Sequence, residues 1–452
     1  MLIRFAVGNY QSFKDIVEFK MAAGKGTRHD SHVIVVGNGK RVLKGGFIFG
    51  ANASGKSNLV RAINFSKRVV LKGANKGDCY KKYFRIENSY KDKPGSFQFD
   101  IYTGGHFYSY GFALSYQTAE IEEEWLYNID SGEKLIFERR RNESGKMEIV
   151  HNMHFSDEDE ESRFKMYSKD IGSDAMVKKT FLSDMALRSS KESECYKPFR
   201  DVRRWFADLF IIFPTSKSNI VAMTQDDEER LTLEQMLKHF DTGITALKTE
   251  EGDFDKVFID MPEDEKALRK EGLLQLLGSE KFRSMINYGG THYEIYMRNG
   301  DLKASEVKSN HGNPNDLFEN KDESDGTLRL FDLLPLFRSV YHNSVIVIDE
   351  LDRSLHSKAT IEFINKFYEV TQGNTAQLIA TTHETSIFDL DLLRQDEIWL
   401  VERTDNQASS IKPLSYYRPR FDKVIERDYL IGRYGAIPIF DRIAHPGSED
   451  GG

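Results

Sequence analysis

Short apolar runs at residues 2–7 and 16–22 predict two strands, joined by the turn Asn9-Tyr10-Gln11-Ser12-Phe13-Lys14-Asp15. Ser96–Tyr102 and His106–Leu114 bound the pair Gly104-Gly105, which predicts a hairpin. A second pair of strands is expected at Ile121–Leu126 and Leu135–Arg139, so the first lobe reads as α/β with much antiparallel sheet. From about 150 to 310 the pattern turns charged and mostly helical. It opens on Asp157-Glu158-Asp159-Glu160-Glu161, read as a solvated loop. Helices are predicted over 196–209 and 228–239, and 263–288 carries Leu273, Leu274 and Leu277 at helical spacing. Without sustained heptads a long coiled-coil arm is not expected. Beyond Leu328, strands alternate with helices: a helix at Leu328–Val340, a buried strand at Val345–Ile348, a helix at Ser357–Thr371, then strands at Gln377–Thr381 and Asp396–Val401. That order predicts a parallel sheet. The expected organisation is a lobe at 1–149, a mainly helical insertion at 150–310 and a second lobe at 311–452.

Composition narrows the classes. A chain of 452 residues, 39% hydrophobic, is long enough for two lobes or a domain with an insertion. Its net charge of −8 means that any nucleic-acid role depends on a local basic patch. Arg139-Arg140-Arg141 and Arg200-Asp201-Val202-Arg203-Arg204-Trp205 are the two clusters that stand out. The only cysteines, Cys79 and Cys195, have no ligand-like spacing, which argues against a disulfide scaffold or a zinc site. With no signal-peptide core and no membrane-length apolar run, the expected location is cytoplasmic and no membrane partner is expected.

The chemistry begins at Gly50-Ala51-Asn52-Ala53-Ser54-Gly55-Lys56-Ser57, a complete G-x-x-x-x-G-K-S phosphate loop. The run Gly46–Phe49 before it reads as the end of a buried strand, and Asn58–Ile63 after it as the start of an amphipathic helix. Gly50 and Gly55 let the backbone curl until its N–H groups and the helix's positive end converge on phosphate oxygens. Lys56 would reach the β- and γ-phosphates, and the Ser57 hydroxyl would ligate Mg²⁺. A second piece, Val345-Ile346-Val347-Ile348-Asp349-Glu350, delivers two acids to a strand end. There Asp349 would hold Mg²⁺ and Glu350 would polarise the attacking water. His383, after Thr381-Thr382 on a neighbouring strand end, would contact the γ-phosphate. In Glu323-Ser324-Asp325-Gly326-Thr327-Leu328-Arg329, Ser324 and Gly326 would cap a helix and leave N–H groups for an anion.

In this order the pieces resemble the ABC-type ATPase heads, in the branch shared by the SMC and RecF DNA-repair proteins. The resemblance covers about 1–115 and 310–440. It implies a P-loop NTPase fold with a β-rich first lobe and an inserted helical subdomain, and ATP and Mg²⁺ as cofactors. Gly50–Ser57 would be Walker A, with Ser54 among its nucleotide-binding residues and Asn52 and Ser57-Asn58 in the branch's pattern. Ser324–Thr327 would be a reduced signature, Asp349-Glu350 Walker B, Leu351–His356 the D-loop and His383 the switch histidine. Gln98 is the candidate Q-loop ligand to the metal. Glu323 and Asp325 depart from the Leu and Gly of transporter signatures.

Asn9–Phe13, Glu323–Arg329, Asp349–His356, Leu393–Trp399 and the tail Tyr429–Pro438 further resemble bacterial phage-defence ATPases of the AAA-fifteen group, of the RloA and AbiL abortive-infection type. That likeness implies a partner effector, often a Toprim-type nuclease, encoded nearby. The ABC resemblance implies a head-to-tail homodimer, or a higher homo-oligomer built from such dimers, with ATP between the subunits, Ser324 and Gly326 of one covering the γ-phosphate held at Lys56 of the other. A DNA-maintenance ATPase acting directly on DNA is the alternative reading. Asn75-Lys76-Gly77-Asp78 matches a guanine-reading motif but follows no buried strand, and Asp253, Asp255 and Asp260 do not form a spaced two-metal nuclease pattern.

Overall fold

The computed structural model describes the chain except residues 172, 174–175, 189–192, 218–219, 278–282, 289–290, 341–342, 420–424 and 438–452. Two compact units result: Met1–Phe213 with His342–Leu351 and Thr371–Gly452, and Pro214–Tyr341 with Asp352–Val370. This division differs from the expected breaks at 150 and 310. The reason lies in the core: Phe181, Phe199, Val202 and Phe206 are buried in the same cluster as Phe97, Phe99 and Tyr110, so residues up to 213 belong with the first lobe.

The first unit holds two large sheets and the short antiparallel pair Val33–Val36/Lys40–Leu43. Its seven-stranded antiparallel sheet includes Leu2–Gly8, Val17–Lys20 and the predicted hairpin Gly95–Thr103/His106–Leu114. The hairpin turns through Gly104 and Gly105 with φ of 59° and 86°, a conformation that fits the twist of the flanking strands and that glycine adopts without strain. The six-stranded sheet runs in the order Phe210–Ile212, Val345–Ile348, Gln377–Thr381, Gly45–Phe49, Ile398–Arg403, Ser409–Pro413. Every pairing is parallel except the last. Val345–Ile348 and Gln377–Thr381 are buried along their whole length, as expected for strands covered on both faces.

A buried pair ties this unit together. Glu124 and Arg139 lie in register on adjacent strands, 0% and 1% exposed. Glu124 accepts N–H bonds from Phe181 and Leu182, at the start of the helix Phe181–Arg188, and a hydroxyl bond from Tyr110 at 3.0 Å. Arg139 donates to the carbonyls of Lys179 and Ile171. Burial pushes the Glu124 carboxyl above its ordinary range and Arg139 below its own. The basic cluster Arg139-Arg140-Arg141 is therefore not a uniform exposed patch: its first member is core. In the other basic cluster, Trp205 is buried and Arg200 donates to the Ser193 carbonyl.

The second unit contains a sheet the sequence pattern did not predict: Ala246–Asp253, Asp301–Asn310, Thr291–Arg298 and Arg283–Tyr288, all antiparallel. Its core gathers Phe254, Phe258, Met261, Leu273, Ile295, Leu302 and Ala304. The predicted helical stretch 263–288 is therefore a helix only over Glu263–Leu277, because cross-strand pairing decides the state of Arg283–Tyr288. Leu328–Val340 is two helices, Asp325–Leu333 and Leu336–Val340, interrupted beside Pro335, which has no N–H to continue the ladder. In the first unit, the acidic run is also corrected: Asp157 caps the helix Glu158–Lys169, and the acids that follow suit its positive first turn.

Candidate functional site

The phosphate loop opens where the buried strand Gly45–Phe49 ends and closes on the helix Lys56–Lys72. Gly55 has φ of 116°, and a Cβ there would fall 2.2 Å from Ser409 Oγ; one on Gly50 would fall 2.3 Å from the Val401 carbonyl oxygen. Neither position admits a side chain, so the neighbouring hairpin strands fix the loop's curl. Ser409 also donates its hydroxyl proton to the Ser54 carbonyl. Lys56 is 5% exposed and folds back across the loop, its ammonium donating to the Gly50 carbonyl at 2.7 Å and that of Ala51 at 3.1 Å. The Ser54 hydroxyl is buried without a hydrogen-bond partner among the described residues. A buried ammonium, an unpaired buried hydroxyl and a helix N-terminus make a donor set that fits a polyphosphate.

Asp349, 2% exposed, stands at the carboxyl end of Val345–Ile348. Its Oδ1 accepts the Ser57 hydroxyl at 3.0 Å and the Thr381 hydroxyl at 2.7 Å. Thr381 Oγ1 in turn accepts the Glu350 N–H at 2.8 Å. Glu350 is half-buried and takes φ of 54°, a left-handed conformation that costs a non-glycine residue on the order of 1–2 kcal/mol. Three predicted pieces, Ser57, Asp349 and Glu350, thus meet at one point. His383 is exposed just past the strand that carries Thr381.

Other predicted residues have different surroundings. Asn58 donates its amide proton to Ser12 Oγ at 2.8 Å, so it braces the loop's helix against the opening turn. Asn52 is exposed and lines a cavity of about 880 Å³ with Ala51, Ser54, Ile431 and Ile437. The tail reaches this cavity because Tyr429 stacks on Phe388, ring centres 4.6 Å apart; Pro438, the last residue of the tail motif, lies outside the described residues. Gln98 donates to Ser109 Oγ at 2.9 Å and toward Asp100, which also receives Arg4. Its amide is thus committed within the antiparallel sheet and not joined to the Ser57–Asp349 pair.

In the second unit, Ser324 caps the helix Asp325–Leu333, its hydroxyl accepting the Thr327 N–H at 3.1 Å. The first N–H groups of that helix, those of Asp325 and Gly326, have no intrahelical acceptor. A Cβ on Gly326 would come 3.0 Å from the Ser354 carbonyl oxygen, so this residue lies close to the backbone that follows Asp349-Glu350. Glu323 accepts from Ser309 and, at 2.8 Å, bonds His311.

Sequence reading missed the parts played by Ser12, Thr381 and Ser409. Thr381 carried a signal, since it ends a buried strand two residues before His383. Ser409 carried none: it meets the loop across 355 residues. The decoys resolve locally. Asn75 caps a short helix and Asp78 pairs with Arg68, while Asp253 pairs with Lys303 and Lys256, and Asp255 with Lys270.

A phosphate loop beside an acidic strand end, with parallel neighbours and an antiparallel lobe, defines a P-loop nucleotide-binding protein with the architecture of an ABC-ATPase head. The family described as "AAA domain, putative AbiEii toxin, Type IV TA system" matches residues 47–153 and 191–389, and the chain belongs to that family. No curated protein matches the chain. Among solved structures it is similar to an SMC head domain from Thermotoga maritima, at 14% identity and a TM-score of 0.35, over 91% of this chain and 98% of that one. It is also similar to an Smc head bound to the C-terminal winged-helix domain of ScpA, at 13% identity and a TM-score of 0.39, over 92% and 99%. Scores of that size leave the assignment to the chain's own residues and its family. Among the described residues, no helix is long and apolar enough to cross a membrane.

Proposed function

We propose that the chain is an ATP-binding and hydrolysing regulatory subunit of a bacterial anti-phage defence system of the RloA and AbiL type. The observation that carries the ATPase reading is the junction at Asp349, where Ser57 of the phosphate loop and Thr381 of the switch strand donate to one carboxylate oxygen. Ser57 and Asp349 would hold Mg²⁺, which supplies charge neutralisation for the phosphates when bound. Lys56 and Ser54 bind phosphate oxygens. Glu350, its backbone held by Thr381, orients the attacking water, and His383 contacts the γ-phosphate end.

The family's own description, an AbiEii toxin of a type IV toxin–antitoxin system, supports the defence setting. In this reading two copies bind head to tail, Ser324 and Gly326 of one covering the nucleotide of the other. A bound phosphate has used its own loop, and further donors come most readily from a second helix N-terminus. The dimer holds or releases an effector, with a nuclease as the favoured class. Co-purification with the product of the adjacent gene tests this: a complex whose stoichiometry changes with ATP is expected, and no complex in either state would refute the regulatory role.

A further inference from the structure

Residues 61–85 carry eight basic side chains against one acid, Asp78, in a chain whose net charge is −8. The structure sorts them. Lys67 donates to the Ala207 and Leu209 carbonyls, and Arg68 holds Asp78 through two bonds of 2.8 and 2.7 Å. The others remain at the surface: Arg61, Lys72, Lys76, Lys81 and Arg85 are exposed and Lys82 is half-buried. None of these six has an ion-pair partner among the described residues. The acids that follow are already engaged, Glu87 by Lys14 and Asp92 by Gln117.

This segment is fastened to the rest of its unit. Asn9 donates its amide protons to the carbonyls of Tyr90 and Lys93, at 2.9 and 2.8 Å, and accepts the Phe84 N–H at 2.9 Å. Gln11 N–H meets the Lys82 carbonyl at 2.6 Å. A cavity of about 210 Å³ between the phosphate-loop helix and this segment is lined by Tyr10, Arg61, Asn64, Arg68, Tyr80 and Lys82. The opening turn that holds the segment also touches that helix, through Asn58 to Ser12 and through Tyr10 Oη to the Arg61 carbonyl.

We propose that this surface, the outer side of the phosphate-loop helix with Lys76–Arg85, docks the phosphate backbone of duplex DNA. Unpaired cations concentrated on a fixed backbone, in a chain otherwise acidic, complement a line of phosphates and form a positioning contact that carries no sequence information. A single strand would call for a row of free aromatic faces. Here Tyr80 is 66% exposed, and the Lys81 ammonium lies 4.9 Å from its ring centre. The proposal does not depend on the effector reading, and its test does not involve hydrolysis.

The test is the fluorescence anisotropy of a labelled duplex titrated with the full chain from about 50 to about 200 mM salt. The wild type is expected to bind with a steep salt slope. The triple variant Lys76→Gln, Lys81→Gln, Arg85→Gln should bind about 10–100-fold more weakly, with a slope smaller by about three. Lys81→Gln alone should reduce the slope by about one, which keeps the test open if the triple variant fails to fold. An unchanged slope in a folded variant, absent duplex binding by the wild type, preference for single strands, or binding to anionic vesicles without binding to DNA would each overturn the proposal.

Discussion

Ser57 and Asp349 are joined by a 3.0 Å hydrogen bond across 292 residues of sequence, hydroxyl to carboxylate, between the first turn of the helix that follows the phosphate loop and the carboxyl end of the strand Val345–Ile348. The bond holds together a hydroxyl and a carboxylate that would both serve as ligands to a divalent cation. If that is their role, Asp349→Ala should leave nucleotide binding in EDTA within about threefold of wild type while removing the gain in affinity that Mg²⁺ gives. Isothermal titration with and without Mg²⁺ checks it, and equal loss in both conditions would contradict the assignment.

Lys56→Ala should weaken ATP binding by about 100-fold, because a buried ammonium making charge-assisted bonds to phosphate contributes about 1.5–3 kcal/mol. The Lys56 ammonium donates to the loop's own Gly50 and Ala51 carbonyls, so the melting temperature of the variant without nucleotide sets the baseline against which the lost stabilisation by nucleotide is read. Thermal shift with and without nucleotide measures both.

Thr381→Val removes one donor to Asp349 and the acceptor of the Glu350 N–H while keeping the side chain's shape. The turn that holds Glu350 at positive φ loses its support. Hydrolysis should fall by about 10–100-fold with ATP affinity nearly unchanged, since leaving a buried polar group unpaired costs about 1–3 kcal/mol. Single-turnover rates beside binding isotherms measure both.

Glu124→Ala leaves Arg139 buried without its carboxylate partner and the N–H groups of Phe181 and Leu182 without an acceptor. The cost should be about 3–5 kcal/mol, read from urea denaturation. Glu124→Gln keeps part of the network and should cost less.

Much of the site was legible because its chemistry is local. A strand, a loop with glycines at 50 and 55 and a helix announce themselves within twenty residues, and Val345–Ile348 announces its own burial. The second unit's sheet was not legible: Ala246–Asp253 is Ala-Leu-Lys-Thr-Glu-Glu-Gly-Asp, half-exposed and charged, and its strand state comes from pairing with Asp301–Asn310. Arg139 misled because only the register of its strand against Glu124 reveals that it is core. The fastening by Asn9, which aims the basic segment, depends on carbonyls about eighty residues away that no local pattern encodes.

The most direct test of the ATP-driven dimer is the light-scattering mass of purified Glu350→Gln with and without ATP and Mg²⁺. Blocking hydrolysis while sparing binding should trap the nucleotide, so the mass should double on ATP addition and return to the monomer value when Lys56→Ala is added to the same chain. A mass that stays the same with and without ATP, in a protein that binds ATP, would contradict the account.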